Sequence, residues 1–137
     1  MNNTEIILKG NKLIAEFMGL KGRVNHLNEF VTSHIDGNGH GYEENVYYHY
    51  SWDWLMPVIE KIEDTDDLEY KGFGHAFVMN NYEVNVTSLA TGEIKVYMSV
   101  GLASSTIDVK SKIEVAWLAC VEFINQYNKT NIQEINE

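Results

Sequence analysis

Residues Ile113, Ala116, Trp117, Cys120, Phe123, Ile124 and Tyr127 recur at three- and four-residue spacing, the longest amphipathic helical pattern in the chain. A stripe this wide is stable only when another element covers it, and the residues before it supply the cover. There the period drops to two. Tyr82, Val84 and Val86 share one strand face and Ile94, Val96, Met98 and Val100 share another, with Ala90-Thr91-Gly92 between them, which reads as a hairpin. A further strand over Ala76 to Met79 joins it through Asn80-Asn81, because asparagine tolerates the positive φ of a tight turn. The pattern predicts an α+β fold in which an antiparallel sheet of about three to five strands packs against three helices.

The other two helices lie upstream. Ile6, Ile7, Leu13, Ile14, Phe17 and Met18 fall on one helical face, with Thr4 as a start cap and Gly19 as a left-handed C-cap. Gly10 interrupts this helix at a cost of about 1 kcal/mol against alanine, so a close neighbouring backbone or a break is expected there. Leu55, Val58, Ile59 and Ile62 mark the second helix, with Ser51 or Asp53 as its cap and Pro57 blurring its start. Clustered carboxylates at Glu63-Asp64-Thr65-Asp66-Asp67 oppose the negative end of its dipole and end it, with a loop through Gly74. Between these helices, Leu20 to Glu44 shows no periodicity and reads as loop, with a turn at Asp36-Gly37-Asn38-Gly39-His40-Gly41. Order resumes near Asn45, and Val46 to Tyr50 reads as a short strand or an extended lead into the second helix. Ser104 to Ser111 is a polar link to the closing helix. The boundaries are one domain over 1–128 and a flexible polar tail over 129–137.

Three segments resemble a family of small phage and prophage proteins of unknown function, among them one described as a phage α/β/α sandwich domain. Asn11 to Gly19 is similar to the family's opening helix, Ser51 to Glu63 to its Trp-rich second helix, and Lys112 to Asn128 to its closing helix. The resemblance implies a mobile-element origin and a helix-on-sheet fold. It carries over no catalytic residue.

Composition narrows the function classes. At 137 residues the chain fits one core. Ten Lys and Arg against 20 Asp and Glu give a net charge of -10, the opposite of what phosphate contacts need, so direct nucleic-acid binding is not expected. The same charge attracts basic protein surfaces from a distance. Cys120 is the one cysteine, the start lacks a basic leader, and no apolar run approaches membrane-spanning length, which together predict a cytoplasmic protein; the bacterial host is what the resemblance implies.

No reactive constellation stands out. His34, Asp36 and His40 surround a glycine-rich turn, but zinc wants about four ligands, and Tyr47 stands where a calcium loop requires a bidentate glutamate, so no metal is expected. Cys120 sits in an apolar stripe, no Gly-x-Ser-x-Gly turn occurs, and Gly72-Phe73-Gly74 lacks the third glycine of a dinucleotide site. Pairs such as Glu60 with Glu63 and Asp64 are expected by abundance alone among 20 acids. No catalytic residue and no cofactor are assigned, and the chain is read as a non-enzyme.

Two concentrations remain. The acidic run from Glu60 to Glu69 includes Glu63, Asp64, Asp66 and Asp67, and it reads as a solvated helix end or as a mimic of nucleic-acid phosphates that occupies a basic partner. Tyr47, Tyr48, His49, Tyr50, Trp52 and Trp54 close the core or line a groove, with Trp54 placed inward and Tyr48, Tyr50 and Trp52 as the groove candidates. The function expected is that of an accessory phage-type protein acting by binding, an acidic inhibitor of a host or defence protein. The alternative is a small-ligand protein that sequesters a nucleotide in the groove near Tyr47 to Trp54. An edge strand can also pair with a copy of itself, giving a homo-oligomer.

Overall fold

The computed structural model describes residues 3–67, 69–80, 83–99 and 111–136. Helix α1 spans Asn3–Phe17 and ends as the sequence predicts: Gly19 takes φ 80°, its amide donates to Glu16, and Leu20 donates to Ala15. Thr4 lies inside this helix rather than capping it. Gly10 marks a close approach, but by a side chain, since a Cβ there would sit 2.2 Å from Trp117 Cζ2.

The segment from Leu20 to Glu44, read as loop, instead contains an antiparallel sheet of strands β1 (Gly22–Val24), β2 (Phe30–Ile35) and β3 (Gly41–Asn45) in that order. Order therefore begins well before Asn45. Its outer strands expose nearly every residue, which removes the alternation that marks a half-buried strand. Cross-strand polar pairs hold it, including a two-pronged Arg23–Glu43 ion pair at 2.7 and 2.8 Å. The predicted turn is present: Asp36 Oδ1 accepts from the amides of Asn38 and His40, and Gly39 takes φ 82°.

Val46 to Tyr50 forms no strand. It leads into a turn in which Tyr50 and Ser51 donate to the Tyr47 carbonyl. Helix α2 spans Trp52–Asp64 with Ser51 at its N-cap, where the carbonyl accepts from Trp54 and Leu55 and the side chain makes no cap bond. Pro57 lies within the helix without delaying its start. Its missing amide deprives the Asp53 carbonyl of a donor on a face where both residues are exposed to water. Leu55, Val58, Ile59 and Ile62 are all buried, and each contributes about 1.5–3 kcal/mol. Lys61 ties α2 to α1 by donating to the Phe17 carbonyl and lying 4.6 Å over the Phe17 ring.

The second antiparallel sheet, β4 (His75–Met79), β5 (Glu83–Ser88) and β6 (Ile94–Ser99), is the predicted meander. Asn80 closes its first turn by accepting the Glu83 amide on Oδ1; Asn81, Tyr82 and Val100 lie outside the described residues, as do 101–110. Val84, Val86 and Val96 face the core, but Ile94 does not. A bulge pairs Thr87 with Ile94 and Val86 with Val96, which turns Ile94 outward to 56% exposure.

Helix α3 (Lys112–Asn136) carries the apolar stripe against β5, β6 and the other two helices, and it runs helical to Asn136 through most of the segment read as a flexible tail. The fold is α+β, with three helices and two three-stranded antiparallel sheets among the described residues. One hydrophobic cluster joins Ile14, Phe30, Tyr48, Leu55, Val84, Trp117 and Ile124. No helix among the described residues is long and apolar enough to cross a membrane.

Candidate functional site

The loop after α2 builds a cleft against α3. At its base, Asp67 is buried, 3% exposed, and its carboxylate organises the loop: Oδ1 accepts from the amides of Glu69 at 2.9 Å and Tyr70 at 3.3 Å, while Oδ2 accepts from Ser88 Oγ at 2.6 Å. Ser88 is itself fully buried at the end of β5, so this bond pins the acidic loop to the second sheet. The Ser88 hydroxyl, the Glu69 amide, Lys95 and the Tyr70 amide together hold the Asp67 carboxyl below its ordinary value, against the opposing effect of desolvation.

Lys95 owes its place to the β6 bulge, which leaves it unpaired in the ladder. Its Nζ lies 3.1 Å from Glu93 and 3.9 Å from Asp67. His75, the first residue of β4, donates from Nδ1 to the Thr65 carbonyl at 2.7 Å and is only 5% exposed. Because a carbonyl can only accept, the neutral ring carries its proton on Nδ1, and Nε2 is left as an acceptor without a partner among the described residues. The ring packs edge-on to Phe123 at 5.0 Å, and Phe123 lies parallel to Tyr127 at 6.4 Å. These three rings, with Asp66, Glu69 and Lys95 at the sides, line a cleft of about 330 Å³.

The predicted residues scatter. Asp66 and Asp67 enter this cleft, while Glu63 and Asp64 stay exposed on the end of α2 without lining it. Tyr48 is a core residue, 2% exposed, with its hydroxyl pushed up to about 12 by burial, and it lines a shallow cleft with Trp54, Asp53 and Pro57 rather than a groove shared with Tyr50 and Trp52. It packs edge-on to Trp54, the partly buried ring that also meets Tyr47 edge-on, as expected for an inward tryptophan. Tyr48 and Tyr50 fail to share a face because the segment is a turn: Tyr50 is 59% exposed and lines a second cleft beside α1. Trp52 is exposed and lines neither cleft. None of the known protein families, curated proteins or solved structures matches this chain.

His34 stacks on Tyr42 and bonds Thr32 Oγ1, while Asp36 serves its turn. Among the described residues no group of three or more His, Cys, Asp or Glu side chains is placed to hold a metal. Cys120 is fully buried, and burial pushes its thiol up, away from a reactive thiolate.

As lining residues of this cleft, His75, Lys95, Phe123 and Tyr127 escaped the sequence reading, which placed Phe123 and Tyr127 only in the stripe of the closing helix. His75 had a signal, since counting back by twos from Met79 through Phe77 puts it on the inward face of its strand. Lys95 had none, because the bulge that aims it leaves no mark on the alternation.

The Asp67 anchor predicts an acid-sensitive fold. A carboxyl held below its unfolded value stabilises the protein above that value, and the contribution is lost as pH falls from about 4 through the folded value. Asp67→Asn should therefore be less stable than wild type at pH 7 and lose less of its stability on acidification, as urea denaturation at pH 7, 4 and 3 would measure. Parallel losses in the two proteins would remove Asp67 from this role.

Proposed function

We propose that the protein acts by binding rather than catalysis, taking a basic segment of a partner protein into the cleft between the acidic loop and α3. One observation carries this reading: the exposed acids Asp66 and Glu69 line the same cleft as Phe123 and Tyr127. A lysine or arginine side chain entering it meets an ion-pair acceptor and an aromatic face together. The cleft's own Lys95 offers little opposition, being held between Asp67 and Glu93. The net charge of -10 steers a basic surface toward the protein. The resemblance to small phage proteins suits an accessory role of this kind, an acidic inhibitor that occupies a basic surface of a host or defence protein. A phosphate-bearing nucleotide held across Tyr47 to Trp54 draws less support, because the rings divide among separate places: Tyr47 and Tyr50 line the cleft beside α1 with Glu29, which opposes a phosphate, Tyr48 and Trp54 line another, and Trp52 lines neither.

The test is fluorescence anisotropy with a labelled arginine-rich peptide. Exposed ion pairs contribute about 0.2–1 kcal/mol each and a cation over a ring about 0.5–1 kcal/mol. The triple variant Asp66→Asn, Glu69→Gln, Tyr127→Ala should therefore weaken binding about tenfold. Higher salt should slow association. Equal affinity in wild type and variant, or no binding at low salt, would reject the cleft.

A further inference from the structure

A second cleft, of about 240 Å³, lies where α1 meets the 45–50 turn, and a buried relay fixes what it offers. Trp117 Nε1 donates to Asn11 Oδ1 at 2.9 Å, and both residues are buried, at 3% and 4% exposure. The indole can only donate, so the Asn11 amide has one orientation, with Nδ2 turned to His49 Nδ1 at 2.9 Å. Nδ2 can only donate, so Nδ1 must accept and the neutral imidazole carries its proton on Nε2. No described residue takes that proton, and Nε2 is not among the sealed atoms without a partner, of which Asn85 Oδ1 is the one described case. His49 lines the cleft together with Asn11. Burial lowers the His49 pKa, which keeps the ring neutral at physiological pH.

The surroundings define the ligand. Tyr50 packs edge-on to His49 at 4.6 Å and lies 5.3 Å from Tyr47, leaving an exposed ring at the mouth. Ile7, Leu8 and Phe30 give the cleft apolar walls. Glu29, the one charged side chain lining it among the described residues, opposes an anion, and a fixed N–H donor opposes a cation. The volume falls below the about 300–1,000 Å³ of sites for drug-sized ligands, which limits the occupant to one or two fused rings.

We propose that this cleft binds a planar, uncharged heteroaromatic ring bearing a carbonyl or ring-nitrogen acceptor, with His49 Nε2–H as the donor and Tyr50 as the stacking face. Asn11 is a positioning residue: it acts through His49 by selecting its tautomer. The site shares no lining residue with the cleft on α3, so it stands independently of the partner-binding reading.

Imidazole nitrogen NMR on the full chain tests this, with hypoxanthine, adenine and uracil as probes and indole as a ring without the acceptor. Wild-type His49 should show the Nε2–H tautomer, and at least one acceptor-bearing ring should shift its Nε2 resonance and bind at least fivefold more tightly than indole. Asn11→Asp presents a carboxylate to Nδ1, so at a pH where the spectrum shows the ring singly protonated the proton sits on Nδ1, and affinity for that ring should fall at least tenfold. Should this variant fail to fold, Tyr50→Ala at an exposed position replaces it, and affinity should fall at least fivefold, since a stacked base contributes about 1–3 kcal/mol. A wild-type ring protonated on Nδ1, no response at millimolar probe, or unchanged affinity in the folded variant would each overturn the proposal.

Discussion

Trp117→Ala should cost about 3–5 kcal/mol of stability, the largest single-residue effect expected in this protein. The indole is 3% exposed, and it sits over the glycine that interrupts α1: a Cβ at Gly10 would lie 2.2 and 2.5 Å from Trp117 Cζ2 and Cη2 and 3.2 Å from Val121 Cγ2. Its Nε1 also satisfies the buried Asn11 carbonyl oxygen. Trp117→Phe separates these contributions, because it keeps most of the bulk and orphans Asn11 Oδ1, so it should cost about 1–3 kcal/mol. Gly10→Ala should destabilise wild type by about 1–3 kcal/mol, since a rigid, buried ring cannot yield the distance the methyl needs. In the Trp117→Ala background the same change should become stabilising by up to about 1 kcal/mol, because the helix preference for alanine then works against only the 3.2 Å approach to Val121 Cγ2, which the vacated space lets yield. A double-mutant cycle from urea denaturation reads this reversal of sign. Stabilisation by Gly10→Ala in wild type would show that the two helices are not in this contact.

The glycine illustrates how the fold was and was not legible. Periodicity located all three helices, because α1, α2 and α3 each bury one continuous stripe, and it located β5 because Val84 and Val86 alternate cleanly with more exposed residues. It failed wherever the stabilising pattern is polar. Strands β1 and β3 bury almost nothing and are held by backbone pairing and by Arg23–Glu43, so no apolar rhythm announces them. The bulge at Lys95 shifts the pairing of β6 by one residue while leaving the Ile94, Val96, Met98 spacing intact, which sends Ile94 outward and the lysine toward Asp67. Within the acidic run, composition could not separate Asp67 from its neighbours, because the distinction is made by Ser88, 21 positions away. Tyr48 was placed by strand alternation that the turn at Tyr47 to Ser51 does not obey. Both clefts join residues from separate elements, and such meetings depend on packing that one-dimensional spacing does not encode.

Gly74→Ala should cost about 3 kcal/mol and should also disable the cleft on α3. A Cβ at this position would lie 2.0 Å from the Glu63 carbonyl oxygen and 3.2 Å from its carbon, in the last turn of α2. The obstacle is backbone held in a helix rather than the tip of a side chain, which puts the cost at the upper end of the about 1–3 kcal/mol of over-packing. The Gly74 carbonyl also accepts the Leu89 amide at 3.0 Å, so the residue is fastened on the sheet side as well and cannot retreat. Relief has to come from the loop lifting away from α2, which loosens the His75–Thr65 bond and the Asp67–Ser88 bond at the two ends of the displaced segment. Phe73→Ala provides the control: its ring is 53% exposed, and the change should fall within about 0.5 kcal/mol of wild type. Urea denaturation of the two variants measures the difference, and arginine-rich peptide binding by the folded fraction reads the cleft. A Gly74→Ala protein as stable as Phe73→Ala, with peptide affinity intact, would mean that the acidic loop is not seated on the end of α2.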